Sequence, residues 1–137
     1  MYILDTNVVS ELRKGRKAHR SVRTWAQGFS AASLYLSAIS ILELEIGILL
    51  MERRDQTQGA VLRVWMDKHV LPTFAGRVLP IDTAVAQRCG ALHVPNPRSD
   101  RDALIAATAL VHGMTVATRN VNHFQQMGVA IVDPWQA

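Results

Sequence analysis

Five short runs rich in apolar and β-branched residues, at 1–4, 34–40, 78–81, 115–118 and 129–132, are separated by stretches long enough to form helices. That alternation admits few folds. A parallel strand connection must cross over, and the crossing helix lands on a face of the sheet, so repeated strand–helix units build a mainly parallel sheet covered on both sides. We therefore expect an α/β fold with a parallel sheet of about five strands flanked by helices. Helices are expected at 6–14, 18–28, 41–54, 56–71, 83–92 and 102–112, with Gly113 as the stop of the last. The chain has 137 residues, 49% of them apolar, which suffices for a single domain spanning 1–137. The stretch ILELEIGILLMERR at 41–54 is apolar almost all the way round. Such a helix buries two sides, one in its own core and one against a neighbour, so a homodimer is expected.

Apolar stretches are interrupted well before the ~20 residues a membrane helix needs, and the apolar start lacks the basic segment and cleavage site of a signal peptide. No membrane association and a cytoplasmic location are the expectation. Cys89 is the sole cysteine, which excludes an internal disulfide and a cysteine-based metal cluster. It is expected to be a small buried apolar group. Lys and Arg number 15 against 11 acids, a formal charge of +4, and RKGRKAHRSVR at 13–23 holds four Arg and two Lys with no acid. That run is either a solvated basic face or a surface that meets phosphates. No Ser–His–Asp assembly is apparent. No helix-turn-helix or zinc motif suggests DNA binding by the chain itself.

In a parallel sheet, ligands collect beyond the carboxyl ends of the strands. Asp5 ends the first strand, Glu43 falls in the first turn of the helix after the second, and Asp102 opens the helix that feeds the fourth. All three belong to one edge. Ser40–Glu43 and Ser99–Asp102 also match capping-box spacing, and Asp5 can serve as turn chemistry, so local roles account for each acid singly. Capping says nothing about why the three fall together. Two carboxylates ~4 Å apart repel by about 4 kcal/mol at an effective dielectric near 20, so such a cluster takes up protons or recruits a cation. Oxygen ligands select Mg²⁺ or Mn²⁺, and beside a phosphodiester such an ion lowers the pKa of bound water and offsets developing charge.

The segments MYILDTNVVSEL, ISILELEIG, DALIAATALVHG and TVATRNVNHF, closed by VDPW, occur in this order along the whole chain. Together they resemble the PIN-domain ribonucleases of the VapC toxin family, in its FitB-like branch. The resemblance implies a metal-dependent endoribonuclease, the toxic half of a toxin–antitoxin pair, with tRNA as a substrate of several relatives. It implies a VapB/FitA-like antitoxin as partner, operator DNA bound only through that antitoxin, and a homodimer. By motif position, Asp5, Glu43 and Asp102 correspond to the family's metal-binding acids, with Mg²⁺ or Mn²⁺ as cofactor. The family's TRN-x-x-[DE]-F pattern places a further acid where this chain has His123. His123 is open to orienting water, contacting phosphate or ligating Mn²⁺, and the missing acid also leaves open a weakened nuclease fold that only binds RNA or antitoxin. Asn7, as a brace for Asp5, and Thr118 and Asn120, as neutral oxygen donors, complete the accessory candidates.

Overall fold

The computed structural model describes all residues, Met1–Ala137. Five parallel strands form the sheet: β1 (Tyr2–Leu4), β2 (Leu34–Ser37), β3 (Val78–Leu79), β4 (Thr115–Ala117) and β5 (Ile131–Val132), in the order β3-β2-β1-β4-β5. β1 is central, with Ile3 opposite both Tyr35 and Val116 and Leu4 opposite Ala117. Alternation along a strand sends neighbours to opposite faces. Accordingly Ile3 and Val116 enter the core beneath α6 (Thr83–Leu92) and α7 (Asp100–His112), with Val85, Ile105 and Phe124. Leu4 and Ala117 enter the other, beneath α1 (Thr6–Leu12), α3 (Ala38–Arg54) and α4 (Gln56–Trp65), with Val8, Leu36 and Ile48.

The remaining α-helices are α2 (Arg20–Gln27), α5 (Leu71–Thr73) and α8 (Val121–Phe124). α7 lies close on the sheet because Ala103, Ala106, Ala107 and Ala109 are fully buried on it. Gly113 ends it in the left-handed region at φ 67°, where other residues are strained. α3 and α4 also meet closely: a Cβ on Gly59 would lie 2.6 Å from the Glu52 Cα, so only glycine fits that crossing. On the outside, Leu42, Leu49 and Leu50 of α3 and Val61 and Val64 of α4 stay exposed. One side of α3 is thus left uncovered, continuous with exposed valines of α4.

Several boundaries move. The second strand stops at Ser37, three residues short of expectation, because the buried Ser37 hydroxyl accepts the Ile39 N–H at 3.0 Å and starts α3 at Ala38. α1 is capped by Asp5, and the helix expected over 56–71 is α-helical only to Trp65 before a wider π segment, Met66–Val70, leads into α5. β5 keeps only the last two of its four expected residues.

Candidate active site

The carboxyl ends of β1 and β4, the first two turns of α3 and the N-terminus of α7 converge on one edge of the sheet. Asp5 follows β1 directly and is only 5% exposed. Its Oδ1 accepts the Thr6 N–H at 2.8 Å, and its Oδ2 accepts the Thr118 hydroxyl at 2.7 Å and, more distantly, the Asn7 amide at 3.4 Å. Thr118 follows β4, the strand paired with β1, which is how residues so far apart in sequence meet. The Thr118 oxygen in turn accepts the Asn120 N–H at 2.9 Å, while Asn7 Oδ1 accepts the Arg119 N–H at 3.4 Å. Asn120 thus takes part through its backbone, and its side chain makes no hydrogen bond within the protein.

Glu43 lies in the second turn of α3, not the first, since the helix begins at Ala38. The capping-box reading therefore does not apply to it. Its Oε1 accepts the Thr6 hydroxyl at 2.7 Å. That hydroxyl also lies 3.0 Å from Ser40 Oγ. A hydroxyl has one proton to give, so Thr6 donates to the carboxylate and receives from Ser40. The second oxygen of Glu43 is 3.8 Å from the Arg101 guanidinium. Thr6, Ser40 and Arg101 were not evident from the sequence; a Thr beside a strand-end Asp reads first as a helix cap.

Asp102 is the third residue of α7, but Ser99 makes no side-chain cap and the Asp102 carboxylate instead faces His123, with Oδ2 3.1 Å from Nδ1. His123 is about half exposed and makes no other side-chain contact of this kind. Asp100, two residues earlier, is exposed and lies 3.5 Å from His93 Nε2, away from Asp102's partner. A further carboxylate, Asp133 of the VDPW segment, lines a cavity of about 220 Å³ with Asn120 and His123.

The three acids act on one another. Burial pushes the Asp5 carboxyl above the usual carboxylate range; the hydrogen bonds from Thr118 and Thr6 oppose this, while the charges of Asp102 and Glu43 add to it. The acids do not close into a ready-made shell of three His, Cys, Asp or Glu ligands. The donor chemistry fits a hard divalent ion: carboxylate oxygens and neighbouring hydroxyls at a buried point of excess negative charge, with no thiolate or histidine pair to favour zinc.

A family model described as the PIN domain matches residues 2–129. The chain is 38% identical to VapC ribonuclease Y4jK of Sinorhizobium fredii, over 99% of each chain. It is 37% identical to toxin FitB of Neisseria gonorrhoeae, over 98% of this chain and 99% of that one. The solved structure of FitAB bound to a DNA fragment superposes with a TM-score of 0.89 at 36% identity, covering 98% of this chain and 96% of that chain. With fold, segment order and full-length similarity in agreement, the chain belongs to the PIN-domain family, among the VapC and FitB toxins.

Proposed function

We propose that the chain, one PIN domain over 1–137, is an Mg²⁺-dependent endoribonuclease that hydrolyses tRNA, with Asp5, Glu43 and Asp102 holding the ion. The observation that carries this reading is the buried Asp5 carboxyl, whose charge is disfavoured by its own burial and by two further acids at the same sheet edge. A bound divalent ion would offset that repulsion and supply charge neutralisation and activation of water. The protein's own groups do the positioning. Thr118 and the Thr6 N–H fix the two Asp5 oxygens, and the Thr6 hydroxyl fixes Glu43, so both carboxylates are oriented from the first residue of α1. Asp102 orients the His123 imidazole through Nδ1, leaving Nε2 without a protein partner and able to hold or pass a proton at the site's open side. Mn²⁺ suits the same donors.

As a toxin of this family the chain is paired here with a VapB/FitA-like antitoxin, through which alone it meets operator DNA, and it acts as a homodimer in the cytoplasm. The exposed leucines and valines of α3 and α4 support a partner surface, and no helix is long and apolar enough to cross a membrane. Incubation of the purified chain with total tRNA in Mg²⁺, in Mn²⁺ and in chelator tests the activity. Discrete fragments in either metal and none in chelator are expected; equal cleavage in chelator refutes the ion's role.

His123 standing where the family pattern has an acid, and bonded to Asp102, favours one other reading: a weakened nuclease fold that binds RNA or antitoxin without turnover. His123→Asp separates the two. Restored cleavage in the variant, with none in the native chain, would establish the binding-module reading.

A further inference from the structure

Two arginines near the carboxylates have no acidic partner. Arg13, at the end of α1, lies over the Trp65 ring at 5.9 Å from its centroid, and Arg119, directly after Thr118, lies over Trp135 at 5.2 Å. Both are exposed, and neither guanidinium forms a salt bridge or a hydrogen bond with the protein. Both line one polar cleft of about 450 Å³. Thr6 and Asn7 form part of the same cleft, and their side chains are the ones that contact Glu43 and Asp5. Arg13 also lines an adjoining cavity of about 210 Å³ that reaches Glu43. The larger cleft contains one acid, Glu11, which is already committed to the Lys14 ammonium and the His19 N–H, each at 2.9 Å. Unneutralised positive charge therefore lies directly beside the acidic site.

We infer that Arg13 and Arg119 are positioning residues that grip backbone phosphates of the RNA strand crossing the carboxylates, an inference that rests on the ribonuclease reading above. An indole beneath a guanidinium attracts it through the ring's negative face and fixes its plane, yet leaves the N–H edge free. A phosphate takes that edge with two parallel hydrogen bonds, so a stacked arginine is a pre-ordered phosphate receptor. Trp65 and Trp135, both half-buried against the core, serve here as backing plates. The grip holds the strand while the acids act on it.

The test is RNA binding without turnover, in an Asp5→Asn background, using a fluorescein-labelled single-stranded RNA of mixed sequence over a series of KCl concentrations. Each phosphate contact on a single strand contributes ~0.7 to the slope of log affinity against log salt. Arg13→Ala and Arg119→Ala should each lower the slope by about that amount, and both together by twice it. Arg119→Lys should keep the slope and weaken binding, because it retains the charge and loses the fork; Trp135→Leu should do the same by freeing the plane. Slopes unchanged in both alanine variants, with melting temperatures preserved, overturn the inference. If an alanine variant fails to fold, Arg13→Lys and Arg119→Lys decide: full native affinity in both overturns it. Loss of antitoxin binding with intact RNA binding would assign the pair to the protein partner and also overturn it. A native chain that cuts no RNA while the slopes still fall would instead refute the ribonuclease reading alone.

Discussion

The hydroxyl of Thr6 is the one atom that ties the Asp5 end of α1 to Glu43 on α3. Thr6→Val keeps the branched shape and removes that atom. A hydrogen bond to a charged group contributes ~1.5–3 kcal/mol, but the Glu43 side chain is 26% accessible, so water recovers part and about 1 kcal/mol is lost there. Ser40 is fully buried, and Thr6 is its side chain's one hydrogen-bond partner. An unpaired buried hydroxyl costs ~1–3 kcal/mol, and the lower end, about 1 kcal/mol more, applies here because the Ser40 hydroxyl can turn to the carbonyl three residues earlier, that of the cap Ser37. The sum, roughly 2 kcal/mol, corresponds to a fall in Tm of roughly 6–8 °C for a domain of this size. Groups that orient metal ligands typically govern ~10–100-fold in metal affinity, so Mg²⁺ binding should weaken by that factor. Thermal unfolding by circular dichroism gives the first quantity and calorimetric Mg²⁺ titration the second, with Thr6→Ser as the rescue. A valine variant that melts with the wild type and binds Mg²⁺ unchanged would show that the Thr6 hydroxyl orients nothing at this site.

Gly59→Ala should destabilise by ~1–3 kcal/mol in urea unfolding despite alanine's better helix propensity, because the new Cβ meets the Glu52 backbone at 2.6 Å and forces α3 and α4 apart. Since the folded pKa of Asp5 lies above its unfolded value, the folded state holds that proton more tightly. Metal-free stability from Asp5 is therefore greatest below the unfolded carboxylate pKa of about 4 and declines as pH rises through the folded value. Glu11, lowered by the His19 N–H and Lys14, contributes the opposite slope, so the difference between wild type and Asp5→Asn across a pH series isolates Asp5. Leu50→Lys combined with Val64→Lys, both on exposed positions, should convert a dimer to a monomer in light scattering without lowering Tm.

How the site was legible depended on the kind of interaction. The sheet followed from alternation of strand-like and helix-length runs, and Asp5 and Asp102 fell on its carboxyl edge by topology alone. Glu43 was placed on the right element but in the wrong turn, because LYLSAIS reads as one continuous strand-like run. What ends the strand is a buried serine cap at Ser37, and capping by a buried hydroxyl has no periodicity to detect. The same holds for Thr6, whose long-range partner on α3 is set by how two helices pack, and for Arg13 and Arg119, whose indole partners are distant or several residues away in sequence. The π segment at Met66–Val70 preserves enough helical spacing to hide the widened turn. Local chemistry named the acids; packing decided what holds them.

On the proposed reading, the carboxylates at this sheet edge hold a divalent ion for RNA hydrolysis. It is tested most directly by the rate of RNA cleavage across an Mg²⁺ titration for the wild type, Asp5→Asn and Asp102→Asn. The account predicts a saturable Mg²⁺ dependence in the wild type, no cleavage without the ion, and loss of at least most activity in both variants while each remains folded. Undiminished cleavage by both variants at the same Mg²⁺ concentration would contradict it.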